Sequence, residues 1–148
     1  MQDDVSGLRP GEVELTDADE EIWRQVNPAF VHDGRVSSQA FTPTTKDAGE
    51  LSTNRATKVT PQAAFEYHIQ QLELPSAGVY SLTVGEVAEV SLRVVDDSAV
   101  QDDEPRPPGH AYVDFKGVSA GKRAKKIGAN LREKAEGRGW RYRPDEDQ

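Results

Sequence analysis

Apolar and polar positions alternate along this chain in short runs, and turn residues separate one run from the next. Asp17, placed before "ADEEIWRQV", predicts a helix from Ala18 to about Val26. Its carboxylate would accept the free amide hydrogens of the first turn, with Glu20 as the capping-box partner. Ile22 and Val26 would point inward with Trp23 beside them, and Pro28 would block continuation because it has no N–H. "AFVHDGRVSSQAF" predicts a β-hairpin, since Asp33-Gly34 accepts the positive φ angles of a tight turn between apolar and β-branched flanks.

Residues 42–50 predict a loop, and 51–59 either a strand or an irregular segment. "TPQAAFEYHIQQLEL" predicts a helix with Thr60 at the N-cap, Pro61 in the first helical position and Pro75 as the stop. The following run divides into a strand at Gly78–Thr83, a helical turn around Gly85–Val90 and a strand at Leu92–Val95. A proline-rich, acidic loop (97–109) leads to a strand at 110–115. Ser119 would cap a last helix that Gly137 and Gly139 end, and "WRYRP" would form a terminal strand. On that helix Ala120, Ala124, Ile127, Leu131 and Ala135 fall within an arc of about 80°, a narrow stripe of small residues suited to close packing. These elements predict an α+β fold: one domain over residues 18–143, a small mostly antiparallel sheet and two main helices packed on it. Residues 1–17 would be a mobile acidic arm and 144–148 an acidic tail.

Composition narrows the function classes. The 148 residues carry a net charge of −8 and no cysteine, which removes disulfides and thiolate chemistry. No apolar run is long enough to span a bilayer and the acidic start has no hydrophobic leader segment, so a cytoplasmic protein without a membrane partner is expected. Charge is blocked: residues 1–21 hold eight acids and one base, whereas 117–144 hold nine of the eighteen lysines and arginines. Lys122, Arg123, Lys125 and Lys126 occupy the first turns of the last helix, where the macrodipole disfavours cations. Together with Arg138, Trp140 and Arg141 they are the expected surface for an anionic ligand or a protein partner. The alternative is a solvated helix face laced with charge pairs such as Arg132 with Glu136, or an aromatic edge strand packed on the core. The acidic N-terminal block could also lie on the basic helix of the same or a neighbouring copy, giving salt-sensitive self-association.

Catalytic patterns are sparse. "KGVSAGKRAKK" sits where a phosphate-binding loop would, but Lys116 replaces its first glycine and Arg123 its Ser or Thr. No Gly-x-Gly-x-x-Gly, zinc-protease helix or Gly-x-Ser-x-Gly turn is present, so no cofactor and no metal are expected. Ser37 or Ser38 beside His32 could form a nucleophile pair, and His110 could meet Asp96, Asp97 or Asp114 and hold a divalent ion. The preferred reading is a non-enzymatic interaction module working through the basic helix. The alternative is an enzyme or binding protein acting on a nucleotide or nucleic acid, with a polar site gathered from His32, Ser38, Arg55 and His110. An acidic balance disfavours long nucleic acid as the partner.

"WRQVNPAFVHDGRVSSQAF", followed by "LSTNR", "GVYSLTVGEV", "VVDD" and "PPGHAYVDFKG" before a basic helix, resembles a group of small bacterial proteins of unknown function over residues 23–136. The resemblance implies a single domain containing His32, Ser37, Ser38, Ala40, Phe41, Leu51, Ser52, His110 and Ala111. It implies no catalytic role for any of them.

Overall fold

The Asp33-Gly34 turn behaves as its chemistry dictates. Both residues have positive φ (54° and 79°), and they join β3 (Val31–His32) to β4 (Arg35–Val36). The computed structural model describes residues 7–44, 47–101, 106–118 and 121–144. The remaining strands are β1 (Val13–Glu14), β2 (Glu21–Val26), β5 (Glu50–Arg55), β6 (Gly78–Thr83), β7 (Val94–Asp96) and β8 (His110–Asp114). They form one antiparallel sheet in the order β1-β7-β8-β5-β2-β6. Three helices pack on it: α1 (Pro61–Gln70), α2 (Val84–Glu89) and α3 (Lys122–Arg138). The expected α+β fold with a small antiparallel sheet and two main helices is what the chain adopts, with α2 as a short third.

Local capping explains the helix starts. Thr60 accepts a hydrogen bond from the Ala63 amide with Pro61 behind it, and Thr83 and Glu86 form a reciprocal capping box for α2. α3 begins at Gly121 without a side-chain cap; Ser119, expected there, and Ala120 of the stripe lie outside the described residues. The stripe otherwise forms the packing face. Ile127, Leu131 and Ala135 are buried in the main core with Leu51, Leu82, Val113 and Phe41, while Ala124 is half-buried. α1 packs elsewhere, its Ala64 joining Trp23 and Val79 in a second cluster.

Three expectations are corrected. Residues 21–26 are a strand, not part of a helix over 18–26. β2 lies between β5 and β6, and Ile22 and Val26 enter the main core while Trp23 enters the α1 cluster. Its Ile22 and Val26 sit four apart, a spacing that a helix face shares, and Arg24 and Gln25 break the apolar run expected of a strand buried on both faces. Asp17 makes only a local turn, accepting from the Asp19 amide at 3.0 Å, and Glu20 bonds Arg55 rather than closing a capping box. The acidic arm is also shorter than residues 1–17. Val13 and Glu14 pair with Asp96 and Val95, Leu15 is buried, and buried Glu12 accepts a hydrogen bond from the Tyr112 hydroxyl at 2.9 Å. The terminal "WRYRP" forms a single bridge, Tyr142 with Val79, rather than a full strand.

Candidate functional site

The basic helix divides at its middle. In its C-terminal half Arg132 approaches Glu136 at 3.8 Å, Lys134 approaches Glu89 at 3.4 Å, and Arg138 pairs with Glu86 and donates to the Ser81 carbonyl. Burial pushes the Glu86 carboxyl up, but the hydrogen bonds from Arg138 and the Thr83 amide outweigh it and hold the group below its ordinary range. Lys122, Arg123, Lys125 and Lys126, in the N-terminal half, are exposed and have no carboxylate partner among the described residues. Beside them runs a groove of about 500 Å³, lined by Phe115, Val118, Pro43, Thr42, Ala124 and Lys125 among others.

Arg138, Trp140 and Arg141, expected to share that surface, are each engaged by residues of β2, β6 or α2 or by the C-terminal segment itself. Trp140 stacks on Tyr80 with ring centroids 4.1 Å apart, and the Arg143 guanidinium covers the Trp140 ring at 4.7 Å. Arg141 makes a two-pronged pair with Glu21 at 3.0 and 2.9 Å. The aromatic–arginine alternation therefore ties the C-terminal segment to the β2–β6 edge, and both faces of the Trp140 ring are engaged.

His32, Ser38, Arg55 and His110 do not meet in one cavity. His32 is exposed on the small hairpin, and Ser38 lines the groove beside α3. Ser37 caps the 3-10 turn Ser38–Phe41 by accepting from the Gln39 amide. Arg55 is held by Glu20 at 2.6 and 2.9 Å and by Asp96 at 2.7 Å, and the Glu20 bond raises its pKa further. His110 contacts buried Asp97 through Nδ1 at 2.6 Å, and Asp97 also takes Arg106 at 2.7 Å. The expected meeting of His110 with an aspartate occurs, but no cluster of three metal-ligating side chains exists among the described residues.

A second cleft was not foreseen from the sequence. β2 and β5 pair only at Ile22–Arg55 and Trp23–Asn54, after which β2 stays with β6 and β5 with β8. The strands part, and a cleft of about 320 Å³ opens between them under α1, with Arg24, Gln25, Ser52, Thr53 and Asn54 on its strand side. Arg24 donates from Nε to the Ala40 carbonyl at 2.6 Å and from Nη1 to the Ser52 carbonyl at 2.9 Å, thereby occupying a position where the ladder has stopped. Burial lowers its pKa to about 10, and the charge of Asp47 pulls weakly the other way. His68 lines the same cleft with a lowered pKa, first through burial and then through the nearby Arg24 charge. The signal was in the sequence: once residues 21–26 are read as a central strand, Arg24 and Gln25 are polar residues out of place.

No helix among the described residues is long and apolar enough to cross a membrane. Compared with known proteins, the chain matches no family model, no curated protein and no solved structure.

Proposed function

We propose that this protein is a non-enzymatic interaction module that docks an acidic protein segment on the start of α3. One observation carries this reading: within a single helix the C-terminal cations are paired, whereas Lys122, Arg123, Lys125 and Lys126 have no carboxylate partner among the described residues. An acidic segment in the adjoining groove would meet Lys125 along one side and the apolar Phe115 and Val118 along its floor. Four cations close together suit a short acidic stretch. A duplex would extend beyond them onto a molecule whose net charge is −8, which repels phosphates. The internal use of Trp140 and Arg141 also removes the base-stacking surface that single strands prefer.

The test is binding of a labelled glutamate-rich peptide across a salt series, beside single-stranded RNA and a Lys122/Lys125/Lys126→Glu variant. Peptide binding that weakens with salt and is lost in the variant is the expected result. Tighter binding of RNA would replace the protein partner with nucleic acid, and no peptide binding at low salt would overturn the reading. Sedimentation of the protein alone at low and high salt identifies a second copy as the acidic partner if the mass falls with salt.

A further inference from the structure

Among the described residues the cleft between β2 and β5 shares only Thr44 with the lining of the groove beside α3, and its chemistry is different. Arg24 is unlike the chain's ion-paired arginines: Arg9, Arg35, Arg55, Arg93, Arg106, Arg132, Arg138 and Arg141 each have a carboxylate within salt-bridge distance. Arg24 has two backbone carbonyls and no carboxylate at that range among the described residues. A guanidinium has five N–H donors. The two bonds to Ala40 and Ser52 leave about three of them without an acceptor among the described residues. Arg24 is half-buried, so its remaining donors are reachable from the cleft while its Nε and Nη1 are held by the two carbonyls.

A buried polar group on the same cleft is unsatisfied. Gln25 is 9% exposed, its Oε1 accepts from the Ser76 hydroxyl at 2.8 Å, and its Nε2 has no hydrogen-bond partner among the described residues. Buried amide nitrogens are normally paired. The lining also has an apolar part: Phe30, Leu72, Leu74 and Pro75 contribute to it, and Leu72 and Leu74 are 40% and 47% exposed.

We propose that the split between β2 and β5 binds a small organic monocarboxylate with an apolar body, its carboxylate on Arg24 and its apolar body against Leu72 and Leu74. Charge decides between carboxylate and phosphate. Among the described residues Arg24 is the one arginine or lysine lining the cleft, Asp47 adds one negative charge, and His110 is already engaged with Asp97. One guanidinium balances one carboxylate and matches its planar, two-oxygen geometry; a dianionic phosphate would keep an excess charge in a partly desolvated site. The volume of about 320 Å³ accommodates a ligand of only modest size.

The experiment titrates the full chain with hexanoate and benzoate, and in parallel with hexanamide, hexyl phosphate and inorganic phosphate, following backbone amide shifts by NMR. Expected is saturable carboxylate binding with shifts confined to Ser52–Asn54, Tyr67–His68 and the Leu72–Leu74 segment, and hexanamide weaker by about ten-fold or more. Arg24→Gln should abolish the preference for hexanoate over hexanamide. Because Arg24 also bonds two backbone carbonyls, that variant could unfold for structural reasons alone. Leu72→Glu, at an exposed rim position, therefore serves as the second variant: it should keep the fold by circular dichroism and lose hexanoate binding. No carboxylate binding at millimolar concentration, equal binding of hexanamide, tighter binding of either phosphate, or shifts centred on Lys122–Lys126 would each overturn the proposal. The last result would leave the α3 reading intact, so failure of one site is distinguishable from failure of the other.

Discussion

Gly128 shows how one residue can set the distance between two elements. A Cβ there would lie 2.5 Å from Thr42 Cγ2 and 3.1 Å from the Ser38 carbonyl oxygen, so α3 approaches the 3-10 turn closely only because the side chain is absent. Alanine would gain about 1 kcal/mol of helix propensity, but the backbone oxygen cannot yield cheaply. Gly128→Ala is expected to lower stability by about 1–3 kcal/mol, measured as a fall in Tm; a rise would mean that the turn shifts freely. Arg55 poses the complementary case. Its side chain sits between Glu20 and Asp96, which are 4% and 13% exposed, and Arg55→Met would leave two carboxylates without their cation. A loss on the order of 3 kcal/mol is expected in urea unfolding. Adding Glu20→Gln should recover part of it, because the buried charge is then removed together with its partner.

At the scale of elements, the C-terminal segment is held by an aromatic stack and a close backbone approach. Gly78 has φ 153°, and a Cβ there would meet the Tyr142 carbonyl oxygen at 2.7 Å and the Trp140 ring at 2.9 Å. Gly78→Ala should therefore displace residues 140–143 from the β2–β6 edge and expose Trp140. The expected reading is a red shift in tryptophan emission with the β-sheet circular dichroism retained; an unchanged spectrum would show the segment tolerates the methyl group. Strand divergence belongs to this scale too. The β2–β5 ladder ends after two residue pairs, so side chains rather than backbone complete the sheet there, and the cleft follows from that gap.

The whole molecule should lose stability as pH falls, in two stages. His68 is lowered from its ordinary 6.5 by burial and by Arg24, so the unfolded chain binds that proton more readily and stability starts to decline below about pH 6.5. Glu12, Glu86 and Glu136 lie below their ordinary 4.5. For each, burial raises the pKa but hydrogen bonds from Arg9, Arg138 or Arg35 more than offset it. Their stabilising share is complete above about pH 4.5 and is lost as the pH passes down through the folded values. Tm measured from pH 8 to 3 should be flat at first, sag modestly and then drop steeply; a Tm that rises on acidification would contradict these pairings. Deleting residues 1–16 should also destabilise the fold, because it removes β1, Leu15 and the Glu12–Tyr112 hydrogen bond. Equal stability after deletion would show that the sheet does not need this edge.

The sequence by itself determined what local chemistry controls. Asp33-Gly34 fixed the hairpin, Thr60-Pro61 the start of α1, a valine- and leucine-rich run the strand at 78–83, and alternation the strand expected at 110–115 and formed at 110–114. The packing stripe of α3 was equally legible, because helical periodicity acts within a few residues. Tertiary structure decided which cations are available and where the clefts lie. Glu21 holds Arg141 from 120 positions away, and Glu86 holds Arg138 from 52. Whether residues 21–26 become helix or strand depended likewise on β6 and β5, which are distant in the chain. Their burial of both faces outweighed a local capping signal, because packing against neighbours stabilises a segment more than a single cap does.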